Sequence, residues 1–139
     1  MKRSAPLFFL GALLGLATAV AGPAAAAEPS IANDEIGVLR LFDEFVSSGA
    51  AASRCASPDD MAAARFLSNF QWVSTHATRE IGRQLPTSSS EEVAAELARR
   101  SKTIKDQTHA LVRAEGCEAE KVQDLVKRFA IQASWKREG

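Results

Sequence analysis

Cysteine, histidine and carboxylate are the side chains of this chain best suited to chemistry. The two cysteines are Cys55 and Cys117. Cys117 sits in "VRAEGCEAEK", between a glycine that ends one helical pattern and a glutamate that begins the next. A thiol at a helix N-terminus is a candidate thiolate, because the helix dipole favours negative charge there. No C-x-x-C spacing supports a redox pair, however, and neither histidine falls near the helix end that carries the cysteines. The alternative use is a structural bridge.

The two histidines, His76 and His109, fall in the middle of helical patterns. At 1.5 Å per residue, an antiparallel helix pair places them about 17 Å apart along its axis, so they cannot share a metal. Only two methionines are present, one of them the initiator. No ligand cluster, haem attachment motif, Gly-rich phosphate loop or G-x-S-x-G appears, and the reading assigns no metal and no cofactor. Glu80 and Glu96 reach similar heights on neighbouring helices and could work as an acid/base pair. Each also has arginines within three or four residues, which equally describes a solvated ion-pair face. The reading assigns no catalytic residue.

The elements that must position these groups follow from apolar spacing. After residue 30 the apolar residues recur at three and four, with no alternating strand pattern. A first helix spans about 34–48, with Val38, Leu41, Phe42, Phe45 and Val46 on one face and Gly49 as its stop. Residues 49–57 read as a loop. A second helix starts with Ser57 as N-cap and Pro58 at its first position, and runs to about Leu85 before Pro86. Its stripe is Ala62, Ala63, Phe66, Phe70, Val73, Ala77 and Ile81. A third begins in a capping box of Ser88 or Ser89 with Glu91 or Glu92, and closes at Gly116. Its stripe of Val93, Leu97, Ile104, Leu111 and Val112 is thin, interrupted by Arg100, Ser101 and Thr108. A fourth spans about 118–135, with Val122, Leu125, Val126, Phe129 and Ala133 inward.

The predicted fold is all-α, a small up-down-up-down four-helix bundle, with a more open orthogonal packing as its competitor. In such a bundle the second and fourth helices run the same way, so Cys55 and Cys117 share one end. A Cys55–Cys117 disulfide is therefore predicted.

The first 27 residues decide the expected compartment. Lys2 and Arg3 precede an uncharged apolar run from Leu7 to Val20, and "PAAAAEP" offers small residues for cleavage. This is the pattern of a cleaved secretory signal peptide, predicted over 1–27, with residues 28–139 as a single helical domain. The run is short for a membrane anchor, so no stable insertion is expected after cleavage. The protein is expected in the periplasm or outside the cell. The whole chain has 17 basic and 17 acidic residues. That balance gives no general attraction to nucleic acid or anionic membrane.

One surface does not fit the stripes. At 100° per residue, Trp72 falls on the polar side of the second helix, with Arg65, Ser68, His76, Arg79 and Arg83 around it. Such an aromatic and cationic patch suits an acidic partner or an anionic, partly aromatic ligand. Otherwise Trp72 is covered by the first helix or the 49–57 loop. On the fourth helix Ile131 and Trp135 lie off the stripe. They could border one groove with Trp72, form a homodimer contact, or pack beneath residues 30–35.

The predicted function is binding: a small exported helical protein that contacts another envelope protein. The layout resembles the periplasmic acid-stress chaperones of the HdeA type, which are short exported helical chains with two bridged cysteines. There too a tryptophan follows the second cysteine on the last helix, as Trp135 follows Cys117. That resemblance implies a chaperone, and it carries over no site residue. An immunity or inhibitor protein for a periplasmic toxin fits the same features. From a different class, "EGCEAEKVQDLVKRFAIQAS" resembles the last helix of the secreted helical chorismate mutases, and Arg79–Glu80 resembles their Arg-Glu pair. That resemblance implies an enzyme whose pocket buries several arginines around a dicarboxylate. No glutamine stands where that last helix would need one.

Overall fold

The computed structural model describes residues 35–137, and the predicted signal peptide lies outside them. Four α-helices make up the fold: α1 (Glu35–Cys55), α2 (Asp60–Gln84), α3 (Ser90–Glu115) and α4 (Glu120–Ser134). Among the described residues there is no strand.

The largest departure from expectation is α1, which does not stop at Gly49. The helix continues through Ala50, Ala51 and Ala52, all buried, to Cys55. Its glycine is used for close packing: a Cβ on Gly49 would lie 3.1 Å from Cε1 and 3.2 Å from Cζ of Phe66. Absence of a side chain lets the Phe66 ring lie directly on the α1 backbone. Alanine supports the helix on either side of that contact.

The predicted 49–57 loop therefore shrinks to residues 56–59. Asp59, and not Ser57, caps α2, accepting a hydrogen bond from the Ala62 amide at 2.8 Å. Pro58 precedes the cap and lies outside the helix. The α3 cap is a complete capping box: the Glu92 amide donates to Ser89 Oγ, and the Ser89 amide donates to Glu92 Oε2. Gly116, at φ 83°, ends α3 in the left-handed region that glycine tolerates best. The last helix starts at Glu120, two residues later than expected, with no side-chain cap.

α3 and α4 both pack on α1 and α2 but barely touch each other. Phe42, Phe45, Phe66, Val73, Phe129 and Ala133 form the centre of the core. Its rings interlock, with Phe66 and Phe129 centroids 4.3 Å apart and Phe45 and Phe66 centroids 5.2 Å apart. Thr108 is buried on α3 despite its hydroxyl, which donates to the Ile104 carbonyl. Arg100, expected to interrupt the α3 face, instead ties it to α1. Its Nε and Nη2 each donate to an Asp43 carboxylate oxygen at 2.6 Å. Hydrogen bonding to Asp43 raises the Arg100 pKa above its ordinary value.

Cys55 and Cys117 form the disulfide, with their Cα atoms 5.3 Å apart. It joins the last residue of α1 to the α3–α4 connection at one end of the bundle. Both cysteines are consumed, and no free thiol remains among the described residues.

Candidate functional site

Asn69, on the inner side of α2, is buried although it is polar. Its Nδ2 donates to the Gln132 carbonyl at 2.8 Å and to the Trp135 carbonyl at 3.3 Å. The Gln132 carbonyl, in the last turn of α4, otherwise accepts only a long 3.4 Å bond from the Trp135 amide, and Trp135 itself is the residue that caps the helix. Asn69 thus fixes the end of α4 against the middle of α2. Ser48 of α1 joins the arrangement by donating to Gln132 Oε1 at 2.5 Å. Trp135 is held from its other side by an edge-on contact with Phe45, at a centroid distance of 5.3 Å.

Beyond Trp135 the chain leaves the helix and crosses the outer face of α2. Arg137 donates to Ser68 Oγ at 2.9 Å and to the Ser68 carbonyl at 3.4 Å. Between this segment and α2 lies a groove of about 420 Å³, which includes Arg65, Ser68, Trp135, Lys136 and Arg137. Three of its described lining residues are cations, and none of those described is acidic. Neither Arg65 nor Lys136 has a carboxylate partner among the described residues. The groove is therefore a concentration of positive charge with one aromatic wall.

The residues singled out in the sequence fall into two groups. Arg65 and Trp135 meet in this groove. Trp72 lies farther along α2, half-buried against the core, and its ring lies 4.4 Å from that of His76. Arg79 is exposed on the same helix. Arg83 is paired with the buried carboxylate of Glu80, which also accepts from Gln84. Ile131 is 60% exposed and does not line the groove. Trp72 likewise does not line it, so the two tryptophans do not share this groove. Ser68, also named from the sequence, lines the groove, and Asn69, Ser134, Lys136 and Arg137 complete it. Asn69, an isolated polar residue next to an apolar stripe, gave no comparable signal.

The carboxylate chemistry is not assembled. Glu80 is taken up by Arg83 and Gln84 of its own helix, and Glu96 by Arg99 of its own. Of the arginines whose burial is described, Arg100 alone is half-buried and the rest are exposed. Gln132 is buried on α4, but its side-chain oxygen is occupied by Ser48. No group of three or more metal-capable side chains occurs among the described residues. No described helix is long and apolar enough to cross a membrane.

No protein-family model, no curated protein and no solved structure matches the chain.

Proposed function

We propose that the protein is an exported binding protein that holds an acidic segment of another envelope protein in the groove between α2 and the end of α4. The observation that carries this reading is the meeting of Arg65, Lys136 and Arg137 beside Trp135, with no acid among the described lining residues. Fixed cations beside an aromatic face attract a carboxylate-bearing chain and give its apolar side chains a surface to rest on. The groove needs no induced order to form, because Asn69 and Phe45 already hold Trp135 in position. Preorganisation of this kind lowers the entropic cost of association. The exposed Arg79 and the Trp72–His76 pair extend the same helix face and would serve as its second contact.

Residence in an exported compartment is part of the proposal. It rests on the sequence pattern of residues 1–27 and is supported by the disulfide, which persists in oxidising surroundings. The enzyme alternative is disfavoured because a dicarboxylate pocket buries several arginines, and every arginine whose burial is described is exposed except the half-buried Arg100, which is tied to Asp43. The acid-stress chaperone reading stays as the alternative within the binding class.

The test is affinity capture from the native envelope fraction with wild type, Arg65→Glu plus Arg137→Glu, and Trp72→Ala plus Arg79→Ala. Reversal of two groove charges is expected to abolish capture of a partner that wild type retains, at an unchanged melting temperature. Equal capture by wild type and the charge-reversed variant would rule the groove out.

A further inference from the structure

A second concavity lies where α1, α2 and α3 meet, and it shares no lining residue with the cationic groove. It encloses about 330 Å³, at the small end of the usual range for small-molecule sites. Phe45, Phe66 and Phe70 contribute to its lining, with Leu67 from α2, which is 62% exposed. Two further features set it apart from an ordinary seam between helices. Lys105 of α3 lines it with no carboxylate partner among the described residues, and the lining contains no acid. His109, one turn farther along α3, also lines it. Its Nε2 is the one buried side-chain nitrogen or oxygen among the described residues that has no hydrogen-bond partner.

A buried polar atom without a partner is uncommon and costs stability, so it marks a place where a partner is missing. An uncompensated ammonium beside aromatic rings marks a place for an anion attached to an apolar body. From these features together we infer that this groove binds an amphiphilic monocarboxylate, a fatty acid or an aryl-alkyl acid. Its apolar chain lies along Phe45, Phe66, Phe70 and Leu67. Its carboxylate accepts from Lys105 Nζ at the α3 wall, and a turn of the His109 ring, whose Nε2 is closed off from solvent in this structure, brings Nε2–H to one carboxylate oxygen. A neutral apolar ligand would leave both α3 groups unused, and a cationic amphiphile would be repelled by Lys105.

Dodecanoate is the probe, titrated into the protein produced from the complete chain in an oxidising compartment. Binding is read by calorimetry and by amide chemical shifts. Saturable binding is expected, with the largest shifts at Leu67, Ser101 and His109. Lys105 is exposed and unpaired, so Lys105→Glu leaves the fold intact, and it is expected to weaken binding about tenfold or more through loss of a charge-assisted contact. Dodecyltrimethylammonium at equal concentration is expected to give no saturable shifts at these positions. Arg65→Glu plus Arg137→Glu is expected to leave dodecanoate affinity unchanged, which separates this site from the cationic groove. Absence of saturable binding would overturn the inference. So would equal affinity in Lys105→Glu, equal binding of the cationic amphiphile, or shifts confined to Arg65 and Lys136.

Discussion

Asn69 shows how much a single polar side chain can organise. Its amide donates to the Gln132 and Trp135 carbonyls where α4 ends and helical partners run out. Replacement by alanine leaves the Trp135 carbonyl without this donor and the Gln132 carbonyl with only the long Trp135 amide bond. Asn69→Ala is expected to destabilise the protein by about 1–3 kcal/mol, checked by urea unfolding. It is also expected to weaken partner capture, because Trp135 loses its anchor while all three groove cations remain. No periodicity argument could have found this residue. An asparagine at the edge of an apolar stripe looks like a surface position until the partner helix is known. Glu80 misled in the opposite way. Its charge suggested solvent or catalysis, yet it is buried, with Arg83 and Gln84 of the same helix answering its carboxylate. The tryptophans were legible as off-stripe residues. Their burial was not, since it depends on Phe45 of another helix for Trp135 and on core packing and the tilted His76 ring for Trp72.

At the scale of elements, the helices were legible wherever their ends carry local chemistry. The Ser89–Glu92 box and Gly116 mark α3 in the sequence and in the fold alike. The end of α1 was not legible, because the signal there is ambiguous. Glycine is the usual residue just past a helix, and Gly49 has that position only if nothing packs against it. The nearby Phe66 ring is what decides, and it lies 17 residues away in a different helix. Gly49→Val is therefore expected to destabilise the protein by about 1–3 kcal/mol through overpacking, read from the shift in urea midpoint. Were Gly49 an ordinary helix stop, valine would act only through the lost left-handed conformation. The substitution would then leave the environment of Phe66 unchanged in side-chain NMR spectra. The α2 cap shows the same ambiguity on a smaller scale. Ser57 and Asp59 are both good caps, and the seven extra residues of helix at the end of α1, Gly49–Cys55, leave room only for the later one.

For the whole molecule, one covalent tie joins the end of α1 to the α3–α4 connection, 62 residues away in sequence. Closure of a loop of that length is expected to contribute about 4 kcal/mol by restricting the unfolded chain. For a domain whose third helix has only Val93 and Thr108 buried, that is a large share of typical stability. Cys55→Ser plus Cys117→Ser is expected to lower the unfolding free energy by about that amount, measured by denaturant titration with and without reductant. Pairing of the cysteines was legible because helix direction places them at one end. The arrangement of the helices around one another was less so: α3 and α4 follow each other in sequence yet barely touch, since each finds its apolar cover on α1 and α2. That separation leaves the end of α4 free to lie over α2, and with it the cations of the groove. The measurement that tests the central claim most directly is the capture of an envelope partner by wild type against Arg65→Glu plus Arg137→Glu. The account predicts a partner held by wild type and absent from the charge-reversed protein at equal melting temperature. Retention of the same partner by both would contradict it.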